Sequence, residues 1–159
     1  MTREFPDRPI AGVGVVVLGA KGVLLVKRAK PPRQGQWSLP GGAQKLGETV
    51  FEAARRETLE ETGLEIEVLG LIDVVDSIVS DNGGGEIRYH YTLIDVLAVA
   101  ADDATGAPGP TPRPVAGSDA EDVVWFPLQK IPGLKLWSET ERIINLAVEM
   151  KAALAAVDD

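Results

Sequence analysis

The segment from Gly42 to Leu64, GAQKLGETVFEAARRETLEETGL, constrains the fold more than any other part of this sequence. Its glycine-containing start predicts a loop, and Thr49 followed by Glu52 fits a capping box at the start of a helix. Alanines and charged residues follow as far as Gly63, a residue type that commonly ends helices. We therefore predict a glycine loop that leads directly into one helix between Thr49 and Gly63.

Three glutamates, Glu57, Glu60 and Glu61, lie on one face of this predicted helix. At about 100° per residue, Glu61 lies about 40° from Glu57 around the axis, and Glu60 lies about 60° the other way. Like charges at this spacing destabilise an isolated helix by about 0.2–0.5 kcal/mol per pair. The face is either a solvated acidic surface bridged by Arg56 or a set of hard oxygen ligands for Mg²⁺ or Mn²⁺. The preceding glycine loop favours the metal interpretation, because it brings bare backbone and its carbonyl oxygens close to such an ion.

The rest of the sequence predicts strands on both sides of this helix. Ile10–Leu18 and Gly22–Val26 are β-branched and apolar, and the short glycine-containing turn between them predicts a hairpin. The proline- and glycine-rich segment Ala101–Asp119 predicts a surface loop. The other predicted elements are an extended piece at Trp37–Leu39 broken by Pro40-Gly41-Gly42, one or two strands within Leu64–Val79, a turn at Asp81–Gly85, a strand at Glu86–Ala100, a strand at Asp122–Phe126 and a helix capped by Ser138 that reaches about Val157.

This order of elements predicts an α+β domain, in the form of an α/β/α sandwich with a mixed β-sheet between helices. The chain has 159 residues, 45% of them hydrophobic, which predicts a single domain over residues 1–159.

Composition argues against several classes of function. The net charge is −8, so the chain repels polyanions and we expect no nucleic-acid partner. The sequence has no apolar run of the roughly 20 residues that a membrane helix needs, and its first residues lack the apolar core of a secretory signal. It has no cysteine, which excludes disulfides and thiolate metal sites and fits a cytoplasmic protein. We expect a monomer or a homodimer that binds no membrane.

The segment 42–64 resembles the Nudix box, in which a glycine, a glutamate and a closing Arg-Glu-aliphatic-any-Glu-Glu-any-Gly-aliphatic stretch stand at fixed spacing. Thr58 stands where the family usually has an aliphatic residue, and Lys45 replaces an acid that is common in the loop. The segment Trp37–Gly42, which leads into the box, is also similar to the corresponding segment of the family, and the resemblance extends over roughly Ile10–Val148. The matching positions are Gly42, Glu48, Arg56, Glu57, Glu60, Glu61, Gly63 and Leu64.

The resemblance implies the Nudix fold and a Mg²⁺-dependent hydrolase, Mn²⁺ being an alternative ion, that cuts a pyrophosphate bond in a small nucleotide. It makes Glu57, Glu60 and Glu61 metal ligands, with a backbone carbonyl of Gly42 or its neighbour Gly41 as a further ligand. It gives Arg56 the role of orienting a glutamate through a charge-assisted hydrogen bond, and Glu48 that of accepting a similar bond or of binding a second metal ion.

The general base in this family lies either in the box or on a later loop. In this sequence Glu57 or Glu60 fits the first position, and Asp119 or Glu121 fits the second. We favour a box glutamate, because a helix holds its side chain at a defined distance from the metal, whereas a Pro/Gly-rich loop does not.

Candidate substrate contacts lie outside the box. Arg28 is the best phosphate-binding candidate in a basic cluster that also contains Lys27, Lys30 and Arg33, although such a cluster is equally typical of ordinary surface charge. Tyr89 and Tyr91 share one face of a predicted strand and either flank a base or ribose or pack in the core. Glu121, on the acidic loop, is a further candidate contact.

The substrate is less well defined than the reaction. The proline that often marks ADP-ribose hydrolysis is absent, since Val79 and Ser80 occupy its places, and Asp81 replaces the tyrosine that marks dinucleoside polyphosphate hydrolysis. The chain length, the Tyr89–Tyr91 strand and the acidic loop nevertheless resemble short bacterial ADP-ribose pyrophosphatases, so we favour ADP-ribose or a similar nucleoside diphosphate sugar. One alternative is a MutT-type pyrophosphohydrolase of oxidised nucleoside triphosphates. Another is a non-catalytic nucleotide-binding Nudix module, against which the intact glutamates argue.

Overall fold

The computed structural model describes residues 3–104, 114–117 and 120–157. Within these residues the strands are β1 (Ile10–Gly19), β2 (Gly22–Arg28), β3 (Trp37–Ser38), β4 (Gly41–Ala43), β5 (Ile66–Ser80), β6 (Ile87–Ala100) and β7 (Ala120–Phe126). The helices are α1 (Val50–Thr62), α2 (Ala101–Ala104) and α3 (Ser138–Val157), and a 3₁₀ helix covers Leu128–Leu134.

The strands form one mixed sheet in the order β3-β2-β1-β6-β5, with β4 beside β1 and β7 beside β2. Two apolar clusters cover its two faces. Ala54 of α1 packs with Val15 and Val17 on one face, and Ile143 of α3 packs with Val16 on the other. The predicted α/β/α sandwich with a mixed sheet is therefore confirmed.

The predicted hairpin between β1 and β2 is confirmed, but its antiparallel pairing is short. These strands pair only where Leu18 meets Val23 and Gly19 meets Gly22, close to the turn. Over the rest of its length β1 pairs in parallel with β6, from Ile10 opposite Tyr91 to Val17 opposite Ala98. Because its side chains are buried on both faces, β1 has the continuous apolar composition of a central strand, and its main partner is far away in sequence.

The local signals for α1 are confirmed. Thr49 accepts a hydrogen bond from the backbone N–H of Glu52, whose side chain accepts one from the Thr49 N–H. The helix ends at Gly63, which has a φ of 73° that favours glycine. The expected break after the extended piece occurs at Leu39-Pro40, but Gly41 and Gly42 belong to β4, which pairs antiparallel with β1. We use the name glycine loop for β4 and the irregular segment that follows it, residues 41–49.

The second predicted hairpin is confirmed, with β5 and β6 antiparallel along nearly their full length. Segment 64–79 forms one strand, not two, and β7 begins at Ala120, two residues before the expected start. α2 occupies the start of the expected loop. The C-terminal helix is confirmed over Ser138–Val157, but Ser138 is its first residue and does not hold the capping position before it. No helix in the described part of the chain is long and apolar enough to cross a membrane.

Candidate active site

A cavity of about 610 Å³ opens on the α3 face of the sheet. Gly14 of β1 lies in its wall, and the missing side chain there keeps the space open. The glycine loop and α1 form one side, and the start of α3 forms another. A cavity of this size falls in the range of about 300–1,000 Å³ that is typical of small-molecule sites.

The glycine loop lies directly against the predicted metal-binding glutamates. A Cβ placed on Gly42 would lie 2.6–2.7 Å from the three carboxylate atoms of Glu57, closer than real contacts allow. The backbone N–H of Gly41 donates a hydrogen bond of 3.1 Å to Oε2 of Glu61. The carbonyl oxygen of Gly42 lies 3.3 Å from the position that a Cβ would take on Gly12 of β1. Only glycine at position 42 leaves room for the Glu57 carboxylate beside the backbone.

Arg56 ties the acidic side chains of the box together. Its guanidinium donates to both carboxylate oxygens of Glu48, at 2.6 and 3.0 Å. It also donates to Oε1 of Glu57 at 2.8 Å and to Oε2 of Glu60 at 3.3 Å. A fifth hydrogen bond, of 3.0 Å, goes to the carbonyl oxygen of Ala43 in β4. The predicted orienting role of Arg56 and the predicted contact with Glu48 thus have the expected hydrogen bonds.

These hydrogen bonds shift the pKa values of Glu48 and of Arg56. The hydrogen bonds from Arg56, followed by that from the Lys45 backbone N–H, lower the pKa of Glu48 to about 2. The hydrogen bonds of Arg56 with Glu48, followed by that with Glu57, raise the pKa of Arg56. Both groups are therefore charged throughout the neutral pH range.

The donor atoms suit a hard divalent cation. Glu57, Glu60 and Glu61 all line the cavity, and the carboxylate oxygens of Glu57 and Glu61 lie beside bare glycine backbone. Among the described residues no three acidic, histidine or cysteine side chains converge on one point. Mg²⁺ is usually held by one or two carboxylates together with substrate phosphates and other oxygens, and does not need a cage made only of protein side chains. The arrangement fits that type of site.

The basic cluster contributes three of its four members to the cavity: Arg28, Lys30 and Arg33. Nε of Arg28 donates to the carbonyl oxygen of Pro32 at 2.7 Å, which folds the loop back onto the strand end. Arg33 lies over the Trp137 ring at 4.0 Å and donates to Oγ of Ser77 at 3.2 Å. Burial and the nearby Arg28 lower the pKa of Arg33. This side of the cavity is therefore positively charged, although the chain as a whole is acidic.

The remaining predicted contacts separate into two groups. Tyr89 and Tyr91 both line the cavity from the same face of β6, as predicted. Glu121 does not: its exposed carboxylate lies 3.9 Å from Nζ of Lys27, outside the cavity. Asp119 lies outside the described residues. Before it, the Gly117 N–H donates to the backbone oxygen of Glu61 at 2.9 Å, which ties this loop to the end of α1.

Sequence reasoning missed two acidic residues in the cavity wall, Asp95 and Glu139. Asp95 of β6 is only 4% exposed, and burial is the main cause that raises its pKa to about 7. Leu93 and Leu97 share its strand face. A single acid at an inward-facing position between two leucines was the available signal. Trp137 and Glu139, which also line the cavity, carried no such signal in the sequence.

Comparison with known proteins agrees with this geometry. An oxidized purine nucleoside triphosphate hydrolase from Danio rerio is 33% identical over 144 residues, covering 88% of this chain and 80% of that protein. An ADP-ribose pyrophosphatase from Methanocaldococcus jannaschii is 34% identical over 137 residues, covering 86% and 72%. The crystal structure of a MutT Nudix hydrolase from Burkholderia pseudomallei superimposes with a TM-score of 0.68 at 31% identity, covering 88% of this chain and 98% of that one.

A family model for the NUDIX domain matches residues 8–146. This match covers most of the chain, including every strand, α1 and the start of α3. The chain therefore belongs to the Nudix hydrolase family.

Proposed function

We propose that this protein hydrolyses the pyrophosphate bond of a nucleoside diphosphate derivative, with ADP-ribose or a similar nucleoside diphosphate sugar as the favoured substrate. The main observation that supports this proposal is the contact between the glycine loop and the box glutamates. Glu57 and Glu61 line a cavity of about 610 Å³ whose wall also contains Arg28, Lys30 and Arg33.

Nudix hydrolases in general depend on divalent metal ions. We infer that Glu57, Glu60 and Glu61 hold Mg²⁺ or Mn²⁺ here, with a backbone carbonyl of Gly41 or Gly42 as a further ligand. Such an ion, when bound, supplies neutralisation of phosphate charge and a lowered pKa for water. Arg56 fixes the carboxylates in place, because one guanidinium donates to Glu57 and Glu60 at once.

A glutamate of the box takes the proton from the attacking water in this proposal, and Glu57 and Glu60 are the candidates. The Glu60 side chain is 53% exposed, and its 3.3 Å hydrogen bond with Arg56 is the longest that this guanidinium makes. Arg56 therefore holds the carboxylate of Glu60 less firmly than that of Glu57, which it contacts at 2.8 Å. Asp119 is the alternative base on the loop.

The rest of the cavity suits the remainder of a nucleotide. Arg28 and Lys30 provide positive charge for phosphate oxygens. Tyr89 and Tyr91 provide aromatic surface for a base or ribose. The relative from Methanocaldococcus jannaschii, named an ADP-ribose pyrophosphatase, supports this choice of substrate.

An oxidised purine nucleoside triphosphate is the second candidate substrate. The relative from Danio rerio bears that activity in its name and is as similar to this chain as the ADP-ribose pyrophosphatase is, at 33% against 34% identity. In both substrates the bond that is cut joins the α-phosphate of the nucleoside to the next phosphate.

Incubation of the protein with Mg²⁺ and each nucleotide separately distinguishes these candidates by their products. ADP-ribose and water should give AMP and ribose 5-phosphate. An oxidised nucleoside triphosphate and water would instead give a nucleoside monophosphate and pyrophosphate, which would favour the second candidate. The absence of product from every nucleotide would refute hydrolysis and leave a nucleotide-binding module.

A further inference from the structure

The segment that joins β2 to β3, residues 28–36, lies at the cavity, and we call it the strap. Its two ends are tied together. The backbone N–H of Gly35 donates to the carbonyl oxygen of Arg28 at 2.8 Å, and the Arg28 N–H donates to that of Gln36 at 3.0 Å. The strap is therefore a closed loop that forms part of the cavity wall. Its lining residues are Arg28, Lys30, Pro31, Pro32, Arg33 and Gln36.

Arg33 of the strap reaches the opposite edge of the sheet. Its guanidinium donates to Oγ of Ser77 in β5 at 3.2 Å. In the sheet β1 and β6 lie between β2 and β5, and strands are about 4.8 Å apart, so the strap spans about 14 Å to make this contact. Ser77 lines the cavity beside Tyr91, its partner on β6. The strap thus crosses the strands whose residues form the floor of the cavity.

A second contact holds the same guanidinium on the α3 side of the cavity. It lies 4.0 Å from the centroid of the Trp137 ring, in the residue that precedes α3. Together the two contacts join the strap to the sheet and to the start of the helix. Each contact is weak by itself, because a cation over a ring and a hydrogen bond to a hydroxyl both compete with water at a half-buried side chain.

The backbone of Arg33 is also held in an unfavourable conformation. Its φ is 60°, in the left-handed region that favours glycine. Such conformations persist only where surrounding contacts hold them, and they are common at ligand clamps and switch regions. When Arg33 leaves Ser77 and Trp137, its backbone can also leave this conformation, which favours release.

We propose that Arg33 is a latch that holds the strap closed over the cavity, so that a nucleotide enters and leaves only when Arg33 leaves Ser77 and Trp137. This inference rests on the proposed function for the choice of nucleotide. The strap closes again over the bound nucleotide, so the latch slows association and dissociation alike and changes the affinity little. The other role open to Arg33 is a direct contact with a phosphate, which would speed association and slow dissociation.

Stopped-flow measurement of AMP binding in the presence of Mg²⁺ distinguishes these roles without turnover. Tryptophan fluorescence should report binding, because Trp37 and Trp137 line the cavity. Arg33→Met keeps an unbranched side chain but loses both contacts. It should raise the association and dissociation rate constants by about 10-fold each, the size expected when a half-buried cation–π contact is lost. Loss of a positive charge by itself slows the capture of an anion, so the charge change does not account for faster association.

Ser77→Ala tests the latch with the charge of Arg33 intact. It removes only the hydrogen-bond acceptor, so it should raise both rate constants, but by less than Arg33→Met does. Gln34→Met is the matched control, because Gln34 is an exposed strap residue that does not line the cavity, and its rate constants should equal those of the wild type. Thermal melting establishes whether each variant is folded. If Arg33→Met is not, Ser77→Ala decides.

An unchanged or slower association of AMP with folded Arg33→Met would overturn the proposal. Faster dissociation without faster association would make Arg33 a phosphate contact instead. Absence of AMP binding to every protein would overturn the proposal as well, and the hydrolysis assay would then decide the proposed function by itself.

The two proposals fail separately. Hydrolysis of ADP-ribose together with AMP rate constants that do not depend on Arg33 refutes only this inference. Binding of AMP whose rates depend on Arg33, without hydrolysis of any nucleotide, refutes only the proposed function.

Discussion

Replacement of Thr58 by valine should make the protein more stable. Thr58 lies on the buried side of α1, is 0% exposed, and its hydroxyl has no hydrogen-bond partner among the described residues. A buried hydroxyl without a partner costs about 1–3 kcal/mol, and valine has nearly the same shape and a similar helix propensity. We expect Thr58→Val to raise the free energy of unfolding by about 1–2 kcal/mol. For a domain of this size each kcal/mol raises Tm by about 2–4 °C.

Thr62 provides a matched control one helical turn later. It is equally buried, but its hydroxyl donates to the carbonyl oxygen of Thr58 at 2.7 Å and accepts from the Leu64 N–H at 3.2 Å. Thr62→Val should therefore lower stability by about 1 kcal/mol or more, since it leaves a buried N–H without a partner. Calorimetric melting of both variants measures the contrast. A lower Tm for Thr58→Val, or a Tm change of the same sign in both variants, would show that the Thr58 hydroxyl does not destabilise the protein. Thr58 does not line the cavity, so kcat and KM should stay unchanged.

Three further predictions concern the site. Glu61→Gln should reduce kcat by about 10²-fold or more, with Glu67→Gln on the exposed face of β5 as control, and full turnover in excess chelator would contradict the metal assignment. Arg28→Ala should raise KM more than it lowers kcat, because an arginine that binds the phosphate equally well in the ground state and the transition state contributes uniform binding. An unchanged KM would show that Arg28 is an ordinary surface charge. Arg56→Met should remove the stability that depends on ionised Glu48. That stability is present above the ordinary Glu48 pKa of 4.5 and is lost as the pH falls towards about 2. The free energy of unfolding should therefore be measured for both proteins from pH 6 to pH 2.5. The difference in this free energy between wild type and variant should become smaller over that range. A difference that does not change with pH would contradict that assignment.

The position of the general base stays a prediction and has its own test. Glu60→Gln and Asp119→Asn should be compared for kcat and for rescue by a higher metal concentration. A base mutant should lose about 10²–10⁴-fold in kcat with no rescue, whereas a ligand mutant should be partly rescued. An unrescued loss confined to Asp119→Asn would place the base on the loop.

The sequence by itself determined those parts of the protein whose partners are close in the chain. The cap, length and end of α1 follow from Thr49, Glu52 and Gly63, which act within one or two helical turns. The network around Arg56 could also be predicted, because Glu57 and Glu60 stand at adjacent and four-residue spacing on the same helix. Local geometry fixes such contacts before any tertiary packing is known.

Only the tertiary structure decided what lies opposite the box. β1 pairs with β6, whose residues lie about eighty positions further along the chain, and an apolar run cannot indicate which of several strands it will join. That pairing puts Asp95 over Gly14 and brings Tyr89 into the same cavity as Glu57. It also leaves Glu121 outside, although its sequence position looked equally suitable. Contacts between distant strands depend on register and on the missing side chains of glycines, and neither can be read from local spacing.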